Sequence, residues 1–531
     1  MGAIGKRLDR CLNGHKSLVC FIICAVQVLG GMPLNAQKKT DCPNVLLIYT
    51  DDHRYSAVHA MMGEPVATPN LDELAENGVV FEKTYLMGAF TGATCTPSRA
   101  MLLTGRNLFE LEGRGHTIPE THTTLPEAFS QNGYQTYHVG KWHNDMASLA
   151  RSFDDGAFVS GMPAYLTDQF RMPFSHWKKN GNYKKENCFL LQYDAEGKVV
   201  ERPLTGNEVK GPIGTEKDGP HVSEVLAGGA IDYLEGYRGK RPFFMYLAFP
   251  VPHDPRQAPE NCKAKYPADR MDLPPSYARQ HPFDNGHIVL RDEELAPWPR
   301  TPEVVKEHLS DYYATISHLD AQIGKVIQQL KDKGLYKNTL IVMAGDSGVA
   351  IGNHGLMGKQ NLYDEDGIHV PFILSGGALP AQFKGKRIKP LSYIHDIMPT
   401  ILDVVGLDRP GSVTGKSLLP VINGKKQEIR EFTYHAYRQH QRAYRKGRYK
   451  LIEYVRAPDS RPREGEIISG SRVTQLFDVV EDPWETLDLS AFPEYRSTIN
   501  ELREGMKHTA IALKDVADGQ RTQINFWDYY E

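Results

Sequence analysis

The pentapeptide Cys95-Thr96-Pro97-Ser98-Arg99, continued by Ala100 and Met101 to Gly105-Arg106, puts a thiol, a proline and a guanidinium within about one helical turn. Pro97 suits a first helical position with Thr96 as its cap, which sets Cys95 at a helix N-terminus. There the helix dipole and the unpaired N–H groups favour an anion, and Arg99 adds a bidentate donor for oxyanions. A lone cysteine is ordinarily a small buried apolar residue; this context argues for chemistry instead. Asp51-Asp52, adjacent acids directly after an apolar run, supply the kind of oxygen ligands that hard cations take, although an isolated acidic pair is more often a solvated turn. Lys141 and His143, then His253-Asp254, then Asp346-Ser347, each follow a run of the same form.

Those runs are residues 45–50, 134–139, 243–249 and 339–344, short and rich in β-branched or aromatic residues. Continuous apolar runs suit strands covered on both faces, as in parallel sheets. Helix signals lie between them: residues 71–77 with Asn70 as cap, 125–132 ending at Gly133, and a long amphipathic stretch over 305–330 ending at Gly334. The alternation predicts an α/β fold, a large mixed and mostly parallel sheet sandwiched by helices. In such sheets sites form beyond the carboxyl ends of the strands, where all four polar clusters fall. From about residue 431 the pattern changes to a smaller C-terminal α+β subdomain. Its strands are expected at 431–437 and 448–454, with a turn-rich acidic stretch over 475–487 and a terminal helix over 499–516. Residues 151–240 and 255–300 read as long loops over the main sheet, the kind that forms lids and binding walls.

The chain has 531 residues, with 62 Lys+Arg against 65 Asp+Glu and 40% apolar content. It is long enough for a large core. Its charge gives no sign of the basic excess expected of a nucleic-acid-binding domain, and seven cysteines exclude a disulfide-built scaffold. Lys6, Arg7, Arg10 and Lys16 precede an apolar run over 18–28 and a Leu34-Asn35-Ala36 end, the pattern of a cleaved export signal. The run is shorter than the roughly 20 residues a spanning helix needs. The expected division is a signal peptide over 1–36, a catalytic α/β domain over 37–430 and the subdomain over 431–531, exported to the periplasm or the extracellular space with no membrane anchor. Removal of residues 1–36 leaves 58 basic against 64 acidic residues and four cysteines, Cys42, Cys95, Cys188 and Cys262. Beside a reacting Cys95, at most one disulfide is open to the other three.

The Cys-x-Pro-Ser-Arg motif with its tail resembles the signature of the type I, formylglycine-dependent sulfatases of the alkaline phosphatase superfamily, and the resemblance runs over residues 44–488. It implies that Cys95 is oxidised by a maturation enzyme to formylglycine, whose hydrate is the nucleophile. It matches Asp51, Asp52 and Asp346 to the acids that bind one Ca²⁺, with the residue at position 95 beside them. Ser347 stands where the family usually has Asn or sometimes His; a hydroxyl would ligate more weakly there, or water would fill in. Lys141 and His143 match the family's Lys-x-His pair, His253 its later Pro-His, and Lys359 its last sulfate-binding lysine. His122, His138, His318 and His395 have no such context and read as structural.

The expected reaction is hydrolysis of a sulfate ester, probed first against two other readings. One is a phosphodiesterase or phosphonate hydrolase on the same scaffold; the other is a catalytically silent binder of sulfated glycans, suggested by Ser347. A sulfated carbohydrate is the expected substrate, with a small organic sulfate as the other option. Asn107, Arg114, His116 and the stretch from Arg171 to Trp177 are candidate sugar contacts, although each is ordinary loop surface when taken alone.

Overall fold

The computed structural model describes residues 42–164, 168–214, 216–455, 472–515 and 526–530, so the expected signal segment lies outside the described residues. Eight strands make the main sheet: β1 (Asn44–Asp51), β2 (Val79–Phe81), β3 (Gln135–Lys141), β4 (Asp155–Ser160), β5 (Phe243–Pro252), β6 (Thr339–Gly345), β7 (Phe372–Ser375) and β8 (Lys386–Ile388). Their order is β8-β2-β7-β6-β1-β5-β3-β4. The five strands from β6 to β4 run parallel, and β7 is antiparallel to both of its neighbours.

Side-chain alternation along β1 explains why this strand is apolar throughout. Val45, Leu47 and Tyr49 enter one core, with α2 (Cys95–Thr104), α3 (Leu125–Gln131) and a later helix, Ile397–Val405. Leu46 and Ile48 enter the other, with α1 (Pro69–Glu76), α5 (Val222–Gly236) and α6 (Pro302–Asp332). With helices on both faces no polar side is needed, so all eight residues of β1 are buried. A short helix, α4 (Met146–Ser152), follows the end of β3.

Four strands of the C-terminal region, β9 (Phe432–Tyr437), β10 (Gln441–Lys446), β11 (Tyr449–Val455) and β12 (Arg472–Asp478), form an antiparallel meander. Its edge strand β9 pairs with residues Gly88–Ala89, seven residues or fewer before Cys95. The terminal helix runs Arg496–Ala512.

Several local expectations change. Helix α2 begins at Cys95 itself, two residues earlier than Pro97 suggested, and Thr94 precedes it without a side-chain cap. Proline is tolerated there because the first four N–H groups of a helix have no intrahelical acceptor. In α1 the N-cap is Thr68, while Asn70 lies within the helix and donates to Asp320 at 2.7 Å. The segment 151–240 is not only loop: it contains β4, a hairpin of Phe189–Tyr193 with Val199–Pro203, and the 15-residue α5. Two central glycines hid α5, and Gly229 serves close packing, since a Cβ there would lie 2.8 Å from the Phe158 ring. The stretch 475–487 opens as β12 before it turns.

Candidate active site

Parallel register brings the separate motifs together. Thr50 pairs with Gly345 and Asp51 with Pro252, so the residues that follow β1, β6 and β5 emerge side by side. Asp51 ends β1 and Lys141 ends β3. Asp52, His143, His253, Asp346 and Ser347 come within two residues of a strand end. Cys95 enters from the first residue of α2 and Arg99 from one turn further along it, while Lys359 comes from the long β6–β7 connection. None of these ten residues is more than 7% exposed.

Two of them hold left-handed backbone, Asp52 at φ 61° and His143 at φ 76°. Such conformations cost on the order of 1–3 kcal/mol for a non-glycine residue and persist where the surroundings over-determine them. Asp52 is held from both sides: its N–H donates to Asp346 Oδ1 at 3.0 Å and its carbonyl accepts from Tyr312 at 2.9 Å. The turn at Cys95 is held by Asn144, whose amide donates to the carbonyls of Thr96 (3.2 Å) and Gly115 (2.6 Å). Gly115, at φ 86°, must lack a side chain, because a Cβ would sit 2.6 Å from Pro97 Cα.

Charges interlock at the centre. Arg99 Nη2 donates to Asp51 Oδ2 at 3.1 Å and to Asp346 Oδ2 at 3.2 Å. Its Nη1 donates to the Lys141 carbonyl and to Tyr246. Lys141 pairs with Asp51, and Lys359 Nζ lies 2.5 Å from Asp52 Oδ1. Cys95 Sγ is 3.2 Å from His143 Nδ1 and 3.9 Å from Lys141 Nζ. His253 Nδ1 lies 2.7 Å from the Asp254 carbonyl; a carbonyl only accepts, so Nδ1 carries a proton and Nε2 faces Asp52 Oδ2 at 3.8 Å. Ser347 Oγ donates to Asp52 Oδ1 at 3.1 Å.

Burial and these neighbours set the protonation states. Burial pushes the Cys95 thiol up to about 11 despite Lys141 and Lys359, so it is neutral at pH 7. Burial, with Lys141 adding, holds His143 well below the usual imidazole range. Burial opposes ionisation of Asp51, but Lys141 and Arg99 outweigh it and hold the group low. Asp346 goes the other way, raised to about 7 by burial and the nearby Asp51. Burial disfavours the Lys359 ammonium, yet Asp52 more than compensates and raises it.

The donor set fits a hard cation. Ligand atoms of Asp51, Cys95 and Asp346 all lie within 4.8 Å of one another, as do those of Asp51, Asp52 and His253. Among the described residues Asp51 Oδ1 is buried and receives no hydrogen bond, an acceptor left for something positive. The mutual repulsion that raises Asp346 would also be relieved by a divalent ion among oxygens.

Other expected residues fall elsewhere. Arg171 is engaged by Glu208 at 3.1 Å, Glu216 at 2.5 Å and Asp218 at 3.4 Å. Asn107 caps a short helical turn with a bond to the N–H of Phe109, while Arg114 and His116 are exposed. His138 is fully buried and bonds the Gly140 carbonyl, and His318 and His395 are buried, with all three held below the usual imidazole range. His122 is buried as well. Among the described residues, Cys42, Cys188 and Cys262 are unbridged. Sequence reasoning missed Tyr246, which reads as a core strand residue, and Asn144, whose place beside His143 was the available signal.

Residues 43–407 match the sulfatase family, and residues 352–512 match the C-terminal region of N-sulphoglucosamine sulphohydrolase. The first match covers more than half of the chain, which therefore belongs to the sulfatase family. The chain is 24% identical to an N-acetylglucosamine-6-O-sulfatase of Bacteroides thetaiotaomicron, over 93% of this chain and 90% of that protein. It is 29% identical to mouse (Mus musculus) iduronate 2-sulfatase over 72% and 69%. A structure solved in complex with its substrate, D-glucosamine-2-N,6-O-disulfate, superposes with a TM-score of 0.64 at 20% identity, covering 91% of this chain and all of that one. The phosphonate monoester hydrolase of Agrobacterium radiobacter gives 0.63 at 19% identity, over 89% and 95%, so the scaffold alone does not choose the ester. As a family member the chain is a sulfuric ester hydrolase. No helix among the described residues is long and apolar enough to cross a membrane.

Proposed function

We propose that this chain is an exported enzyme that removes sulfate from a sulfated carbohydrate, using a formylglycine made from Cys95 and one Ca²⁺. The observation that carries the reading is the seat of Cys95: at the start of α2, against His143 and Lys141, and opposite three acids. A neutral, buried thiol is a poor nucleophile as it stands, which favours a residue that is converted before it works. The carbohydrate rests on relatives named for amino-sugar and uronic-acid sulfates.

Asp51, Asp52 and Asp346 would hold the Ca²⁺, with position 95 and Ser347 completing the set, and the ion would supply positive charge for the sulfuryl oxygens and for ionising a hydroxyl. Formylglycine would supply a geminal diol, one hydroxyl to attack sulfur and a second to expel the sulfate. The remaining roles belong to the chain itself. Arg99, Lys141 and Lys359 balance the three acids; with a divalent ion present they leave net positive charge for an anionic ester. His143, neutral by burial, accepts a proton at Nδ1 from the group at position 95. His253, with Nδ1 committed to the Asp254 carbonyl, turns Nε2 inward to give a proton to the departing alcohol oxygen.

Two measurements test this. Mass spectrometry of the tryptic peptide 84–99 from a host with the maturation enzyme is expected to show the aldehyde; unconverted cysteine would favour a silent binder. A panel of 2-, 3-, 4- and 6-sulfated sugars, run beside phosphate and phosphonate esters, is expected to show sulfate release from a sugar. Faster phosphonate cleavage would overturn the reading.

A further inference from the structure

Lys359 sits midway along a connection whose two flanks are gripped by one residue of the C-terminal region. Glu485 follows β12, is 2% exposed, and holds a left-handed φ of 54°. Its carbonyl accepts from His354 Nε2 at 3.0 Å, five residues before Lys359. Its carboxylate Oε2 accepts from the N–H of Asp364 at 2.6 Å, five residues after. The other oxygen pairs with Lys450 of β11 at 2.8 Å, and Lys450 also reaches Asp364 Oδ1 at 2.5 Å. His354 is fixed further by Asp366 at 2.6 Å and by stacking on Tyr363, with ring centroids 3.7 Å apart. Buried charges cost free energy unless they are paired and bonded, and a strained, buried glutamate at a turn marks a position over-determined by its surroundings.

We propose that Glu485 is a positioning residue for Lys359, the clamp through which the antiparallel sheet fixes the lysine that faces Asp52. The inference rests on the sulfate-binding role assigned to Lys359. The clamp works from outside the site: Glu485 bonds the two flanks of the connection, and Lys359 Nζ then spans to Asp52 Oδ1 at 2.5 Å. Misplacing a catalytic group by about 1 Å can cost on the order of 10²-fold in rate, so loss of the clamp is expected to be read in catalysis more than in global stability.

The test compares Glu485→Ala, Glu485→Gln, Lys359→Ala, the double variant Glu485→Ala/Lys359→Ala, and Asp515→Asn, a buried C-terminal change that does not touch the connection. Glu485→Ala is expected to lower kcat/KM for a sulfate ester by roughly 10- to 100-fold. Glu485→Gln, which keeps an acceptor for Asp364 N–H, is expected to recover most of that. In the Lys359→Ala background Glu485→Ala is expected to add little. Amide hydrogen exchange is expected to rise over residues 354–364 in Glu485→Ala and not in Asp515→Asn, a readout that needs no converted Cys95. Unchanged exchange there, undiminished loss in the Lys359→Ala background, or an equal kcat/KM loss in Asp515→Asn would overturn the clamp. Full activity of Lys359→Ala with raised exchange in Glu485→Ala would instead overturn the role given to Lys359, and the inference with it.

Discussion

Cys95 Sγ and His143 Nδ1 lie 3.2 Å apart in a pocket where burial keeps the thiol protonated and the imidazole neutral. That pairing differs from a cysteine-protease pair, which works as thiolate and imidazolium. The imidazole here is poised to accept a proton from whatever oxygen or sulfur position 95 carries. It is the arrangement that the proposed nucleophile, made from Cys95 and deprotonated during turnover, would use.

Cys95→Ala is therefore expected to abolish sulfate release while leaving the far-ultraviolet spectrum and the thermal transition near those of the parent. The side chain is small, and the turn around it is tied by Asn144 and Gly115 rather than by the thiol. Retained hydrolysis in Cys95→Ala would sink the proposed mechanism.

The two histidines are expected to separate by leaving group. His253→Ala removes the proton offered to the departing oxygen, so it should slow sugar sulfates by about 10²–10⁴-fold and slow an activated aryl sulfate much less. His143→Ala acts on the group at position 95 and should slow both alike. Steady-state rates on a sugar sulfate and on a nitrophenyl sulfate decide this, and a His253→Ala enzyme equally slow on both would contradict the assignment.

Chelation is expected to remove activity and lower the melting temperature, with Ca²⁺ restoring both. Burial and the neighbouring Asp51 keep Asp346 raised despite Arg99, a strain that a bound cation would relieve, and a ligand that binds the native state alone stabilises it in proportion to occupancy. Ser347, bonded to Asp52, reports on the ligand set. Ser347→Asn is expected to tighten the Ca²⁺ midpoint for melting and Ser347→Ala to weaken it; identical midpoints in all three proteins would remove Ser347 from the set.

Much of this was legible from local pattern because parallel strands covered on both faces are apolar from end to end. The first polar residues after β1, β3, β5 and β6 then announce themselves, and all of them reach the site. The short strands β2, β7 and β8 were not legible, since three or four residues carry no period, and α5 was masked by its glycine pair. Lys359 could be found by resemblance, yet what fixes it could not. Glu485 lies 126 positions away in an acidic turn that reads as solvated, and only the three-dimensional fold shows it buried against His354 and Asp364.

Acid stability offers a last check, at the junction between the C-terminal sheet and the chain's final described residues. Asp515 is fully buried; burial would raise its carboxyl, but Arg442 outweighs that and, with Tyr434 and Trp527, holds it down to about 2. Arg442 binds both oxygens, Nε to Oδ2 at 2.6 Å and Nη2 to Oδ1 at 2.9 Å. Because the folded value lies below the unfolded one, the native state binds fewer protons than the unfolded chain in between. The stability from this pair is thus complete above about pH 4 and lost as pH falls through about 2, and it amounts to roughly 2 kcal/mol. Asp515→Asn leaves Arg442 buried without its counter-charge and is expected to cost about 3–5 kcal/mol at pH 7. Its remaining stability should then depend less on pH between 4 and 2 than that of the parent. Denaturant unfolding of both proteins across that window measures the difference, and parallel acid profiles would show that the pair contributes no such term.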